Sequence, residues 1–319
     1  MPVNLLGKDI MTIIRAFIER HPLLSYFALT FAISWGGFVL VVGPGGFPGT
    51  GSQFDTLATF VVLAMLAGPR VAGLLLTGLV DGKAGLRELL SRLLRWRVGA
   101  RWYAAALLTA PILAAAVLFA LSVGSPIFTT DAKTSLVLTS VVAGLIGGFF
   151  EELGWTGFAV PRMRLRYGVL ATGLVVGVLW GAWHLLQILW VGGTYSGGLP
   201  LVLFLTLYFF SGVAQLTAFR VLMVWVYDRT GSLLVAMLMH TSLIVGTIFV
   251  FTPLATGVAF LTYTWVLAAA LWVAVGAVAA ANHRAANPAQ EGSASRRRTI
   301  PAHRSGSVLR SHSPQRPYS

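Results

Sequence analysis

The sequence predicts an all-α protein, a polytopic membrane helix bundle of eight transmembrane helices with short amphipathic helices at the interface. Three observations predict it. Of 319 residues, 56% are hydrophobic and only 10% charged, against about 25% charged in soluble domains. Apolar runs of the roughly 20 residues needed to cross a bilayer as a helix recur near 24–42, 56–79, 103–122, 134–160, 169–190, 200–227, 231–252 and 259–281. Lys and Arg are concentrated in alternate connections between those runs, as expected when positively charged short loops stay cytoplasmic.

Ahead of the first run, Leu5, Leu6, Ile10, Ile13, Ile14 and Phe17 recur at helical spacing opposite Lys8, Arg15 and Arg20. That pattern predicts a helix lying on the membrane surface rather than a cleaved leader, which would need a short apolar core and a small-residue cleavage site. The connection between the second and third runs holds Lys83, Arg87, Arg92, Arg95, Arg97 and Arg101, with Leu86, Leu89, Leu90, Leu93 and Leu94 between them. It reads as a second interfacial helix. Arg162, Arg164 and Arg166 follow the fourth run, Arg229 the sixth and an Arg-rich tail the eighth, whereas 43–54, 191–199 and 252–258 carry no Lys or Arg and 123–133 only Lys133 beside Asp131. Both termini are therefore expected in the cytoplasm, and the expected location is a bacterial plasma membrane. Residues 1–281 form one transmembrane domain in this reading, and 282–319, rich in Ser, Arg, Pro and Ala without periodicity, a disordered tail.

The formal net charge is +13. From Asn282 onward the tail has seven Arg and one Glu, leaving 16 basic and nine acidic residues for the rest. Such charge fits an acidic lipid surface, where each cation gains about 1 kcal/mol, so the bilayer is the expected partner and nucleic acid is not. The chain has no cysteine, which excludes thiol nucleophiles, disulfides, iron–sulfur clusters and cysteine zinc sites. His, Glu and Asp remain as strong ligands or catalytic groups.

Ionisable side chains inside lipid cost several kcal/mol, so each needs a reason. The spans contain Arg70, the adjacent Glu151 and Glu152, His184, Arg220 and His240. Neighbouring carboxylates in a low dielectric do not both ionise freely, which makes one of the pair a candidate proton acceptor. The plainer alternative is that a Glu pairs with Arg70 or Arg220 and holds the bundle together. Glu151 stands seven residues after Gly144 and three after Gly148, and His184 seven after Gly177 and three after Gly181. Both thus share a face with small residues that let helices approach closely. His240 follows Ala236 by four. At 1.5 Å per residue Glu151 and His240 lie at about the same depth, roughly 14 Å from the cytoplasmic end, whereas His184 lies about 8 Å deeper.

At these residues the chain resembles the CAAX protease and bacteriocin-processing family of intramembrane proteases, whose members carry EExxxR, FxxxH and HxxxN motifs on three membrane helices. The corresponding segments are EELGWTGFAVPR at 151–162, WGAWH at 180–184 and HTSLI at 240–244, within a family-like core of about 134–250. The connecting segments at 81–103 and 227–234 are similar too. Glu151, Glu152, His184 and His240 match; Thr156 stands where the motif has Arg, Trp180 where it has Phe, and Ile244 where it has Asn.

The resemblance implies hydrolysis of a peptide bond in a membrane-associated peptide or protein, of the bacteriocin-like or signal-related kind in a bacterium. Glu151 would be the general base with His184, activating water, and His240 would stabilise the oxyanion. A second version of the same chemistry is metal-based, with Glu152, His184 and His240 holding one zinc or other divalent ion and Glu151 activating the bound water. The absence of an HExxH helix favours the metal-free version. Thr156 removes a positive charge beside the carboxylates. Ile244 removes an oxyanion donor whose loss can cost about 10²–10³ in rate, with Thr241 and Thr247 as candidate substitutes. Two other classes stay open: a non-catalytic membrane scaffold of binding or immunity type, and a proton-linked transporter.

Overall fold

The computed structural model describes residues 3–130, 134–192 and 195–286, and among them there are helices and no strands. α1 (Val3–Arg20) precedes α2 (Pro22–Val42), and α3 (Gly51–Val80) runs into the short α4 (Gly82–Leu93). α5 (Ala100–Gly124) follows, then α6 (Thr134–Gly154), which widens into a π-helical segment, Trp155–Ala159, and ends as α7 (Val160–Arg164). α8 (Val169–Trp183) breaks at His184 into α9 (Leu185–Val191), and α10 (Leu201–Thr230) leads to α11 (Leu233–Leu243). A second π-helical segment, Ile244–Val250, continues α11 before α12 (Gly257–Ala286).

Eight of these helical stretches are long and apolar enough to cross a membrane, 22–42, 51–80, 100–124, 137–164, 169–191, 201–230, 233–250 and 257–284. All eight expected runs are among them, and the protein is a multi-pass integral membrane protein. The boundaries shift where caps decide them. α3 starts five residues before the apolar run because Thr50 and Gln53 form a reciprocal capping box that satisfies two otherwise orphaned N–H groups. α10 runs on to Thr230 and stops at Gly231, whose φ of +58° is the left-handed conformation that ends helices. α12 also continues past 281 to Ala286, into the first residues of the segment read as a tail. The remainder of that tail, from 287, lies outside the described residues, as do Asp131 and Lys133.

Contacts divide the chain into Met1–Val275 and Gly276–Ser319. Within the second unit the described part is the last stretch of α12.

The interfacial helices are present, with one correction. On α1, Ile13, Ile14 and Phe17 are exposed, as an apolar face meant for lipid requires. On α4, Leu86, Leu90 and Leu94 are exposed likewise, but Leu89 is buried and packs with Leu153, Leu233 and Met237. α4 is thus pinned to the ends of α6 and α11 as well as facing outward. Arg92 adds a hydrogen bond to the Tyr227 hydroxyl at 2.9 Å, and Ser232 Oγ donates to the Arg95 carbonyl at 2.6 Å.

Small residues set the closest helix approaches, since between helices in lipid there is little hydrophobic force and packing must be intimate. Gly148 on α6 faces the α11 backbone, where an added Cβ would stand 2.6 Å from the Met237 carbonyl oxygen. Gly177 on α8 faces α10, where an added Cβ would stand 2.6 Å from the Thr217 Cα and 3.1 Å from the Arg220 Cβ. Gly177 therefore brings Arg220 to the centre of the bundle. Gly177→Val is expected to push α8 from α10 and lower stability by about 1–3 kcal/mol, measured as an earlier thermal unfolding midpoint in detergent; an unchanged midpoint would contradict this packing.

Candidate active site

Glu151 and Glu152 end the α-helical part of α6, just before the π-helical widening. Adjacent helical residues point about 100° apart, so the two carboxylates have different surroundings. Both are buried, Glu152 completely.

Glu152 is fully engaged. Arg220 of α10 donates from Nη1 to Oε2 at 2.7 Å and from Nη2 to Oε1 at 2.9 Å, a bidentate ion pair with no exposed atom on either side chain. Thr156, one turn later on the same face, donates its hydroxyl to Oε2 and also meets Arg220 Nη1 at 3.3 Å. His240 of α11 donates from Nδ1 to Oε1 at 2.8 Å. Of the two cations weighed as partners for the glutamates, Arg220 is the one that pairs; Arg70 instead stacks on the Phe150 ring at 4.5 Å.

Glu151 is held more loosely. Trp180 of α8 donates its indole N–H to Oε2 at 2.7 Å, and Oε1 stands 3.9 Å from Nε2 of His240. Among the described residues no other side chain donates to this buried carboxylate, which keeps lone pairs open within bridging distance of an imidazole. Trp180 also stacks under the Arg220 guanidinium at 4.0 Å and meets the His240 ring edge-on at 5.1 Å.

His184 occupies the break between α8 and α9. Its Nδ1 donates to the Trp180 carbonyl at 2.8 Å; since a carbonyl only accepts, Nδ1 carries the proton and Nε2 is left as an acceptor. The ring packs against Trp180 at 5.9 Å and Trp183 at 4.7 Å between centroids. Among the described contacts it makes no direct hydrogen bond to Glu151 or His240. The structure therefore brings Glu151, Glu152 and His240 into immediate proximity and joins His184 to them through Trp180, a remnant of the depth mismatch read from the sequence.

The donors suit a divalent metal poorly. Among the described residues no three His, Asp or Glu side chains are placed to hold one. Both oxygens of Glu152 already accept from a guanidinium and an imidazole, and a cation on Glu152 would stand beside the charge of Arg220.

Each motif departure has a structural counterpart. Where the motif has Phe, Trp180 adds a donor, and it reaches Glu151. Where the motif has Arg, Thr156 adds a hydroxyl to Glu152 while Arg220 brings a guanidinium from another helix. Ile244, where the motif has Asn, opens the second π-helical segment and aims its side chain at Gly147 of α6. The proposed substitutes are committed elsewhere: Thr241 donates to the Gly144 and Met237 carbonyls and Thr247 to that of Leu243.

Sequence reasoning missed the indole contact and treated Trp180 as only an aromatic replacement. The signal was available, because a buried Trp N–H in lipid needs an acceptor. Arg220 was visible as an expensive intraspan charge, but not as the partner shared by Thr156 and Glu152.

Residues 133–246, which contain every group described above, match the family model described as type II CAAX prenyl endopeptidase Rce1-like. A "CAAX prenyl protease 2" of Methanococcus maripaludis is 32% identical over 69 residues, 22% of this chain and 23% of that protein, so the chain spans under a quarter of the length of this curated relative. With the motif residues of that segment gathered on three helices of an eight-span bundle, residues 133–246 are similar to the type II CAAX prenyl endopeptidases, and the matches support the CAAX protease and bacteriocin-processing family for this segment.

Proposed function

We propose that this chain is an intramembrane endopeptidase that cleaves a membrane-associated peptide or protein by a metal-free mechanism with Glu151 as general base. The observation that supports it most is the division of labour between the two carboxylates: Glu152 is saturated by Arg220, Thr156 and His240, while Glu151 keeps free lone pairs 3.9 Å from His240 Nε2. Glu152 then acts as a positioning residue, fixing His240 by its Nδ1–H as a carboxylate fixes a catalytic imidazole.

Glu151 takes a proton from water as the oxygen attacks the scissile carbonyl, and His184 Nε2 is an acceptor that orients that water. The carbonyl oxygen takes up the electron pair and becomes an oxyanion facing His240, which donates from Nε2 when protonated. Collapse of the tetrahedral intermediate breaks the C–N bond, and Glu151 returns its proton to the leaving amine. The site regains its starting state, with a carboxylic acid and an amine as products.

The substrate tried first is a prenylated CAAX-type peptide, as the name of the Methanococcus relative suggests, beside an unlipidated apolar peptide of bacteriocin or signal type. In this reading both termini and α4 face the cytoplasm, as the positive charge of alternate loops suggests. In vesicles containing the purified full chain, a shortened peptide is the expected product, identified by mass. Dialysis against a chelator is expected to leave the rate unchanged. Chelator-sensitive cleavage with one equivalent of bound zinc would overturn the metal-free mechanism, and no cleavage of either peptide class would favour a scaffold in which Ile244 has ended catalysis.

A further inference from the structure

A cavity of about 260 Å³ opens between α9, α10, the second π-helical segment and α12, and His184 forms part of its wall. It lies in the half of the bundle where spans begin or end at 191, 201, 250 and 257, opposite the end at which α3 passes into α4. Its volume is below the roughly 300–1,000 Å³ that encloses a whole small ligand, so it suits a segment of a longer molecule.

The lining is largely apolar, but it carries hydrogen-bonding groups that the protein leaves unused. Among the described residues, the Gln187 amide and the Tyr208 hydroxyl make no hydrogen bond, though both line the cavity. Gln215 gives one N–H to the Thr264 carbonyl at 3.0 Å, which leaves its other N–H and its carbonyl oxygen available. His184 presents Nε2, its Nδ1 being tied to Trp180. Unused amides are costly at membrane depth unless something pairs with them.

The occupant can be argued from that chemistry. An acyl or prenyl chain has no use for amides and a phenol, and a helical peptide satisfies its own backbone. An unwound peptide is different, since its freed N–H and C=O groups must find partners within the bilayer. Peptide-bond hydrolysis requires such unwinding, because a helical carbonyl is hydrogen-bonded and shielded from attack.

We propose that this cavity holds the unwound backbone of the substrate beside the scissile bond, with Gln187, Gln215 and Tyr208 as its hydrogen-bonding partners and His184 at the reacting end. The proposal rests on the peptidase reading and adds a direction: the substrate segment reaches the site from the leaflet remote from α4, as a membrane-embedded peptide.

The natural absence of cysteine makes a direct test practicable. Ile248, exposed at the rim of the cavity, is replaced in the full chain by I248C, in a Glu151→Gln background that excludes turnover. The rate of maleimide labelling in nanodiscs is then measured. An acetylated, amidated Leu-Val-Phe tripeptide is expected to slow labelling several-fold, and hexadecane at the same mole fraction to leave it unchanged. Adding Gln187→Leu with Tyr208→Phe is expected to abolish the protection while the unprotected rate stays the same, which shows that the bundle remains folded. Equal protection by hexadecane, or protection that survives the double change, would overturn the proposal. Because protection is read without catalysis, protection in a protein that never cleaves would remove only the peptidase reading, and cleavage without protection only this one.

Discussion

Glu151→Gln is expected to lower peptide cleavage by about 10²–10⁴-fold, the range associated with loss of a positioned general base, while the protein remains folded. The amide keeps an oxygen that can accept from the Trp180 indole, so the 2.7 Å contact survives and only proton uptake is lost. Glu152→Gln provides the contrast. It leaves Arg220, wholly buried, facing a neutral group, so it should reduce thermal stability as well as rate. Measuring unfolding midpoints beside cleavage rates separates the two roles. Equal behaviour of both substitutions, or full activity of Glu151→Gln, would be incompatible with Glu151 as base.

Arg220→Met is expected to destabilise the bundle by about 3–5 kcal/mol, because removing one member of a buried pair leaves the other charge uncompensated. The replacement roughly keeps the aliphatic volume, so the effect reports charge and hydrogen bonding rather than a cavity. Activity should fall with it, since Glu152 would no longer be held to present its oxygen to His240 at 2.8 Å. Adding Thr156→Arg should recover much of the loss. Residue 156 already touches both Glu152 and Arg220, so a guanidinium from that position can reach the same carboxylate. Thermal midpoint and cleavage rate are both read. An unchanged midpoint in the single variant would show that the pair contributes nothing net, and absence of recovery in the double variant would show that the helix of origin matters beyond the charge.

Arg220 and Thr156 also illustrate where one-dimensional reading stops. Position 156 taken by itself suggests that a stabilising cation has been lost. In three dimensions the close α8–α10 contact at Gly177 carries Arg220 inward, and the carboxylate keeps its partner. His184 shows the converse. Counting 1.5 Å per residue sets it deeper than Glu151 and His240, and at the break between α8 and α9 it is joined to the carboxylates by Trp180 rather than by a direct hydrogen bond. No count along an unbroken helix could anticipate that interruption.

Spans, their number and the residues eligible for chemistry were determined by the amino-acid sequence alone, because transfer into lipid acts on each segment nearly independently: apolar length, loop charge and the cost of a buried ionisable group are local quantities. Which carboxylate is saturated, which retains free lone pairs, and where unused amides line a cavity were decided only by tertiary structure. Those outcomes depend on hydrogen bonds a few ångströms long between residues up to 88 positions apart, such as Glu152 and His240, and on the glycine contacts that let their helices close to that distance.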